Sequence, residues 1–361
     1  MRRKIHLVAG ARPNFMKIAP LFHALSATDW AQPEIVHTGQ HSDRLMSDVF
    51  LEELGLPAPQ FNLAVGSGTH AETTAAVMVA YERLCRTESP DFVVVVGDVN
   101  STVGAVLAAK KLLFPVAHLE AGLRSFDRTM PEEINRVVTD SISDLLWTPS
   151  EDADDNLKRE GVAAERIVRI GNVMIDAYEM LAPRIGAAQS FARFGLNCRE
   201  YGVVTLHRPS NVDDPGRLAQ LMEQLGAASR QIPLVFPVHP RTSGRMIGKG
   251  EYTGIILTDP LPYIDFMSLV KNAALVITDS GGIQEETSYM GVPCLTVRTT
   301  TERPITLTKG TNRLISPELI SESVAGVLRD RDGRLKLPKI PLWDGHAAER
   351  AAESLRQQLA I

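Results

Sequence analysis

The chain has 361 residues, of which 44% are hydrophobic and 22% charged, and its formal net charge is −5. These values are typical of a globular chain long enough for two domains with separate cores. No basic stripe indicates a nucleic-acid-binding protein, and no apolar run of about 18 residues could span a membrane. The apolar stretch after the basic N-terminus is short and leads into a polar loop, so we expect no signal peptide and a cytoplasmic protein.

The first half of the chain alternates apolar, β-branched segments with segments of helical periodicity. The predicted strands span residues 5–9, 35–38, 92–96, 116–119, 145–148 and 167–170. Continuously apolar strands separated by helices are typical of a parallel sheet covered by helices on both faces. We expect the strand at residues 92–96, which reads FVVVV, to be central in this sheet.

The second half repeats the alternation, with predicted strands at residues 203–206, 234–237, 255–257, 275–278 and 294–297. Two similar halves predict an α/β protein of two Rossmann-like, doubly wound domains with a cleft between them. The expected domains are residues 1–171 and 172–344, with a C-terminal helix at 345–361 packed on the first domain.

Charged and polar residues follow the predicted strands, at the sheet edge where open α/β sheets bind ligands. The candidates are Arg12, Lys17, Asp98, Glu120, Glu132, Arg136, His207, His239 and Arg303. Each has an alternative structural role, such as an N-cap, a helix-start acid or a hydrogen-bonded core histidine. Their coincidence at the same sheet ends favours a site for a polyanionic ligand and for proton transfer.

The segment around Asp279-Ser280-Gly281-Gly282 joins an apolar strand directly to a helical pattern. Two glycines let the backbone turn tightly, so that the amides of Ser280, Gly281 and Gly282 face a ligand at the helix start. A phosphate would be stabilised there by free N–H groups and by the helix dipole. The alternative is that the glycines only permit a sharp strand–helix connection.

Several cofactor signatures are missing from the sequence. The glycines Gly66 and Gly68 lack the third glycine of a dinucleotide motif, and no GxxxxGK[ST] phosphate loop is present. His37 and His41 are four residues apart, but a strand end and a turn are expected between them, which disfavours a zinc pair. The three scattered cysteines form no CxxC pair.

Nine segments in order resemble the non-hydrolysing UDP-N-acetylglucosamine 2-epimerase family. They are GARPNFMK (10–17), TGQH (38–41), GD (97–98), HLEAGLRS (118–125), PEEINR (131–136), HRPSN (207–211), VHP (238–240), TDSGGIQEE (278–286) and TTERP (300–304). The resemblance covers nearly the whole chain, and nine ordered motifs are far more specific than any one.

The resemblance implies the fold of two-domain GT-B glycosyltransferases, a UDP-sugar ligand, no metal or nicotinamide cofactor, a homodimer and a role in polysaccharide biosynthesis. It places the diphosphate at the Ser280 turn, the ribose at Glu286 and the uracil near Phe266. The implied phosphate cluster is Arg12, Arg136, His207 and Arg303, with His239 also in the nucleotide site. Asp98, Glu120 and Glu132 are implied as acid and base candidates, with Lys17 nearby.

The implied reaction is reversible C2 epimerisation, from UDP-GlcNAc to UDP-ManNAc, by elimination of UDP to a 2-acetamidoglucal and re-addition. Alternatives are C2 epimerisation of UDP-2,3-diacetamido-2,3-dideoxyglucuronic acid and GT-B glycosyl transfer. The chain departs from the family pattern at Asn14 and Ser210, where glutamate is common. Residues 65–70 lack the Pro-Gly-Gln that helps bind an activating second UDP-sugar, so we do not expect such activation.

Overall fold

The structure is a computed structural model that describes residues 2–39, 50–238, 253–330 and 339–361, apart from the side chain of Pro209. The chain divides into two compact units. The first consists of Met1–Met180 together with Pro341–Ile361, and the second of Leu181–Ile340.

The first unit is built on a seven-stranded parallel sheet. Its strands are β1 (Arg3–Ala9), β2 (Ala31–His37), β3 (Phe61–Asn62), β4 (Phe92–Val96), β5 (Val116–Leu119), β6 (Leu145–Thr148) and β7 (Ile167–Arg169). The spatial order β3-β2-β1-β4-β5-β6-β7 makes β4 central, as predicted. All five side chains of β4 are buried, because helices cover both faces of the sheet.

The helices of the first unit within the described ranges lie between successive parallel strands, as crossover connections require, except for the last one, which follows β7. They are α1 (Arg12–Ser26), α2 (His70–Glu88), α3 (Asn100–Lys111), α4 (Pro131–Ile142), α5 (Glu151–Arg159) and α6 (Val173–Ala188). Helix α2 begins with a capping box in which Thr69 and Glu72 exchange hydrogen bonds with each other's backbone amide. Helix α6 continues into the second unit.

The second unit has a six-stranded parallel sheet. Its strands are β8 (Gly202–Thr205), β9 (Leu234–Pro237), β10 (Ile255–Thr258), β11 (Leu275–Thr278), β12 (Cys294–Val297) and β13 (Asn312–Ile315). Its helices are α7 (Pro209–Val212), α8 (Pro215–Ser229), α9 (Tyr263–Asn272), α10 (Gly281–Met290), α11 (Ile305–Thr308) and α12 (Ile320–Arg329). On one sheet face, α8 and α12 pack on Phe236 and Leu295 through Leu221, Leu225 and Val324.

The strand order β10-β9-β8-β11-β12-β13 repeats the Rossmann order of the first sheet. In each unit, the second and third strands are added on one side of the first strand, and the fourth strand is added on its other side. The predicted class, α/β with two doubly wound parallel sheets, is confirmed. None of the helices in the described ranges is long and apolar enough to cross a membrane.

The predicted strands are all present, and the structure has two further strands that were not predicted, β3 and β13. Both are edge strands, and β3 has only two residues. The start of β2 was also placed four residues late, because Pro33 interrupts the apolar pattern. Within the described ranges, β3 pairs with Val36 and His37 and no strand pairs with β2 beside Pro33 on that side, so the missing N–H of Pro33 is tolerated.

The C-terminal segment is part of the first unit, where helix α13 (Ala347–Gln358) packs against α1. The indole N–H of Trp343 donates to the carbonyl of Pro149 at 2.9 Å. Asp176 Oδ2 accepts a hydrogen bond from the Ala348 amide at 2.7 Å. Asp176 is only 4% exposed, and burial raises its pKa to about 6 despite these helix-start amides.

This shift predicts a pH-dependent stability for the first unit. Between pH 3.8 and about 6, unfolded Asp176 loses its proton while folded Asp176 keeps it, so the free energy of unfolding falls as the pH rises. The variant Asp176→Asn has no carboxyl group that titrates at this position. Its free energy of unfolding, relative to that of the wild type, should therefore rise by about 3 kcal/mol between pH 3.5 and pH 7.

The measurement is urea unfolding followed by tryptophan fluorescence, because all three tryptophans (Trp30, Trp147 and Trp343) belong to the first unit. Parallel stability curves for the variant and the wild type would contradict the assignment to Asp176.

Candidate functional site

The turn after β11 is held by the carboxylate of Asp279, which is fully buried. Its oxygens accept hydrogen bonds from the amides of His207 and Arg208 at 3.0–3.1 Å and from Asn211 Nδ2 at 3.0 Å. His207 Nδ1 lies 3.0 Å from Asp279 Oδ1. Burial would raise the pKa of Asp279, but His207 and the N–H donors outweigh it and keep that pKa below its usual value. Asp279 therefore joins the loops after β8 and β11, on either side of the point where the strand order reverses.

Helix α10 begins at Gly281, and the amides of its first turn have no partner within the helix. The Ser280 amide is already used, because it donates to Thr278 Oγ1 at 2.9 Å. Among the residues that the structure describes, the amides of Gly281 and Gly282 have no acceptor, so they remain as donors at the helix start. A methyl group on Gly282 would meet no heavy atom within 4 Å, so there is space for a ligand beside that residue.

Arg303 lies against the start of α10. A Cβ atom on Gly281 would be 2.5 Å from Arg303 Nη1 and 2.7 Å from Glu302 Oε1, so any larger residue there would have to displace this ion pair. Arg303 Nε lies 3.0 Å from Glu285 Oε1, and Glu302 is also bonded by Arg298 at 2.7 Å. Burial opposes ionisation of Glu302, but the two arginines hold its pKa well below the usual range. The guanidinium of Arg303 is thereby fixed within reach of an anion at the helix start.

Glu286 projects from the second turn of α10 and is 2% exposed. Its Oε1 accepts a hydrogen bond from the Tyr263 hydroxyl at 2.5 Å. Burial raises the pKa of Glu286 to about 8, against this hydrogen bond, and the neighbouring Glu285 adds to the rise. Phe266 is half-buried on α9, the helix that also carries Tyr263.

In the first unit, Lys17 and Glu120 form an ion pair with largely buried side chains. A Cβ atom on Gly97 would lie 3.4 Å from Lys17 Nζ and 3.5 Å from Glu120 Oε2. Gly97 has a φ of +66°, and Glu120 has a φ of +75°, which is strained for a residue with a side chain. The loops after β4 and β5 thus bring Gly97 and Glu120 to one end of the sheet, where Lys17 of α1 pairs with Glu120.

Asp98 follows Gly97 and pairs with Arg136 of α4, with 2.5 Å between Asp98 Oδ2 and Arg136 Nη1. Arg136 is buried and also bonds Glu133 at 2.8 Å. Glu133 accepts further hydrogen bonds from Ser125 and from the amide of Phe126 at 2.9–3.0 Å. Glu133 is therefore the anchor that holds the Arg136 guanidinium toward Asp98.

The remaining predicted residues are placed differently. Glu132 is half-buried in the first turn of α4, beside Glu133. Arg12 is exposed and lies over the ring of Phe50, with 4.6 Å between the guanidinium carbon and the ring centroid. The His207 side chain is 60% exposed. His41 and His239 lie outside the described residues.

Sequence reasoning missed the residues that hold this arrangement in place, above all Asp279, Glu133 and Glu302. The signal was available for Asp279, because an aspartate at a buried strand end before a Gly-Gly turn needs several donors.

The structure explains why asparagine occupies position 14, where the family commonly has glutamate. Its Oδ1 accepts from the Gly10 and Ala11 amides, and its Nδ2 donates to Val96 O at 3.3 Å, a bond that glutamate cannot make.

The second unit offers helix-start donors and a fixed arginine, a combination suited to a phosphorylated ligand. The first unit offers carboxylates beside a lysine and an arginine, a combination suited to proton transfer. Within the described ranges, no group of three or more His, Cys, Asp or Glu side chains is placed to hold a metal ion.

Comparisons with known proteins match the chain to UDP-sugar 2-epimerases. The profile of the UDP-N-acetylglucosamine 2-epimerase family matches residues 23–356. The chain is 39% identical over 367 residues to the UDP-N-acetylglucosamine 2-epimerase of Methanocaldococcus jannaschii, with 98% of each chain covered. It is 40% identical over 361 residues to the UDP-2,3-diacetamido-2,3-dideoxy-D-glucuronate 2-epimerase of Pseudomonas aeruginosa, with 98% of this chain and 99% of that one covered.

Among solved structures, the M. jannaschii UDP-GlcNAc 2-epimerase in complex with UDP-GlcNAc and UDP matches with a TM-score of 0.87 and 38% identity. The match covers 98% of this chain and 99% of that chain.

The two glycines at the start of α10 provide a matched pair of variants. Gly281→Ala should displace Arg303 or Glu302 and lower the free energy of unfolding by about 1–3 kcal/mol, as overpacking usually does. Gly282→Ala adds a methyl group in open space, and the better helix propensity of alanine should leave stability equal or higher by up to about 1 kcal/mol. Far-UV circular dichroism during urea unfolding measures both. Equal stabilities for the two variants would show that the Gly281 contact is not tight.

Proposed function

Because the chain belongs to the UDP-N-acetylglucosamine 2-epimerase family, we propose that it inverts C2 of a UDP-linked N-acetylated sugar by elimination and re-addition of UDP. The observation that carries this proposal is the start of α10, where two glycine amides with no acceptor among the described residues, open space and a fixed arginine suit a diphosphate. The carboxylates beside Lys17 and Arg136 support the proton-transfer half.

The C2 proton of the sugar is not next to a carbonyl carbon, so simple enolisation does not invert this centre. In elimination, a base takes the C2 proton while the C1–O bond breaks and UDP leaves with the bonding pair. The product is a 2-acetamidoglucal with a C1–C2 double bond. Return of a proton to the opposite face of C2, with re-addition of UDP at C1, gives the epimer. No net oxidation occurs.

The leaving diphosphate needs positive charge and N–H donors, which we assign to Gly281, Gly282 and Arg303. Arg12, Arg136 and His207 are the other proposed cations, and Ser280 lies in the same turn. Arg136 already pairs with Asp98 at 2.5 Å, so a phosphate would share its guanidinium with that carboxylate. We assign the ribose to Glu286 and the uracil to Phe266, and His239 remains a proposed nucleotide contact.

Proton transfer at C2 needs carboxylates on both faces of the sugar. The candidates are Asp98, Glu120 and Glu132. Lys17 pairs with Glu120 and is the proposed partner that compensates its charge. A set of three carboxylates suits a reaction that removes a proton from one face of the sugar and returns one to the other face. A single base suits it less well.

Two substrates are proposed, because relatives of about equal identity carry different names. One is UDP-GlcNAc, and the other is UDP-2,3-diacetamido-2,3-dideoxy-D-glucuronate. Both reactions invert C2 and use the same diphosphate and proton-transfer groups. They differ in the substituents at C3 and C6.

We also propose a homodimer, working in the cytoplasm in polysaccharide biosynthesis. The first unit exposes Phe126 at 70% and Ile134 at 53%, beside the half-buried Val137 and Val138. Adjacent exposed apolar side chains of this kind often mark a protein interface. Sedimentation of wild type against the double variant Phe126→Ser, Ile134→Ser tests whether this patch carries the association.

The experiment that tests the function is a proton NMR time course with each UDP-sugar in D₂O, without an acceptor. Elimination predicts that the epimer appears with deuterium at C2, because the returned proton comes from solvent. Full retention of the C2 proton would contradict elimination. Consumption only when an acceptor is added would indicate a glycosyltransferase instead.

Loss of each carboxylate should affect turnover and not UDP binding. Asp98→Asn, Glu120→Gln and Glu132→Gln should each lower kcat by about 10²–10⁴-fold, the usual contribution of a general acid or base. Dissociation constants for UDP should stay near the wild-type value in calorimetry. Glu349→Gln, an exposed residue of α13, is the control. Turnover equal to this control would mean that the acid is structural.

The raised pKa of Glu286 predicts that UDP affinity depends on pH. Ribose hydroxyls donate to the ionised carboxylate, and with a pKa of about 8 only about a tenth of the free protein has this form at pH 7. UDP affinity should therefore rise about tenfold from pH 7 to pH 9, a range in which phosphate ionisation, near about pH 6, is complete.

Calorimetric titration of UDP at several pH values measures this effect, and Glu286→Gln should make the affinity constant across the range. A wild-type affinity that is flat from pH 7 to pH 9, or a slope kept in the variant, would show that Glu286 does not bind the ligand through its ionised form.

A further inference from the structure

A buried cluster of charged side chains lies behind the turn that follows β4. His118 and Asp140 are 0% and 1% exposed, and His118 Nδ1 lies 2.6 Å from Asp140 Oδ1. The other carboxylate oxygen receives Arg124 Nη1 at 2.7 Å and the Gly122 amide at 3.1 Å. Burial opposes the charge on Asp140, but His118 and Arg124 outweigh it and hold the pKa of Asp140 below its usual value. Asp140 is therefore an ionised anchor inside the first unit.

The second nitrogen of the ring reaches the candidate site. His118 Nε2 lies 2.8 Å from the carbonyl oxygen of Gly97. A carboxylate and a carbonyl both only accept hydrogen bonds, so the ring satisfies both when it donates from both nitrogens.

Strand β5 thereby fixes both polar groups of Gly97. Its carbonyl accepts from His118, and its amide donates to the carbonyl of Leu119 at 3.2 Å. Asp98 follows Gly97 directly, and Glu120 follows Leu119 directly. The spacing between these two candidate carboxylates is therefore set by the contacts that hold the Gly97 peptide.

We propose that His118, held by Asp140, is a positioning residue for the reaction, which orients the Gly97–Asp98 peptide relative to Glu120. The inference rests on the proposed function. His118 does not contact the reacting atoms, since its two nitrogens are used by Asp140 and Gly97. Its effect is on geometry, and displacement of a catalytic group by about 1 Å commonly costs about 10²-fold in rate.

The test compares His118→Gln with His6→Gln. His6 is an equally buried histidine in β1, where its Nδ1 lies 3.1 Å from the Tyr81 hydroxyl, far from the strand end. A glutamine at 118 can donate to Gly97, but its oxygen faces the Asp140 carboxylate. We expect His118→Gln to lower kcat about 10²-fold with little change in KM or UDP affinity, and His6→Gln to lower thermal stability while kcat stays near the wild-type value.

Asp140→Asn removes the anchoring charge but keeps the shape of the side chain, and it should also lower kcat. This variant provides the test if His118→Gln does not fold. A kcat for Asp140→Asn equal to that of His6→Gln would overturn the proposal. The wild-type time course is run first, so failure of the proposed function shows as absence of epimerisation before any variant is compared.

Discussion

The buried carboxylate of Asp279 is the constraint on which the second unit's candidate site depends. It gathers donors from His207, Arg208 and Asn211, and so ties the loop after β8 to the loop after β11. A buried charge without such donors would be strongly unfavourable, so the loops cannot separate without a large cost in free energy. Since Asp279 is two residues before Gly281, the same contacts fix where the free amides of helix α10 point.

The first unit uses the same principle with different residues. In its sheet, too, the strand order reverses between the first and fourth strands. The candidate groups at this end of the sheet are held by buried partners: Glu133 holds Arg136, Asp140 holds His118, and Asn14 holds the turn after β1. Preorganised charges of this kind stabilise a developing charge without reorganisation during the reaction. The strained φ of Glu120 fits this view, because strain is commonly tolerated at functional positions.

The sequence was sufficient to predict the fold class and most strands, because continuous apolar segments such as the one at residues 92–96 leave few alternatives in a chain of alternating helices and strands. It was not sufficient for β3 and β13, since short edge strands bury too little to leave a pattern. The charged site residues could be predicted from their place after strands. Their partners could not, because Glu133, Asp140 and Glu302 are distant in sequence or look like ordinary helix and loop acids. Which of them is buried depends on tertiary packing. The occupied amide of Ser280 was equally invisible, since it depends on the rotamer of Thr278.

We propose that the turn held by Asp279 presents the start of α10 to the pyrophosphate of UDP. A crystal structure of the protein with UDP tests it most directly. We expect phosphate oxygens within hydrogen-bond distance of the Gly281 and Gly282 amides, with Arg303 on the same anion. A nucleotide bound elsewhere, with this helix start facing only solvent, would contradict it.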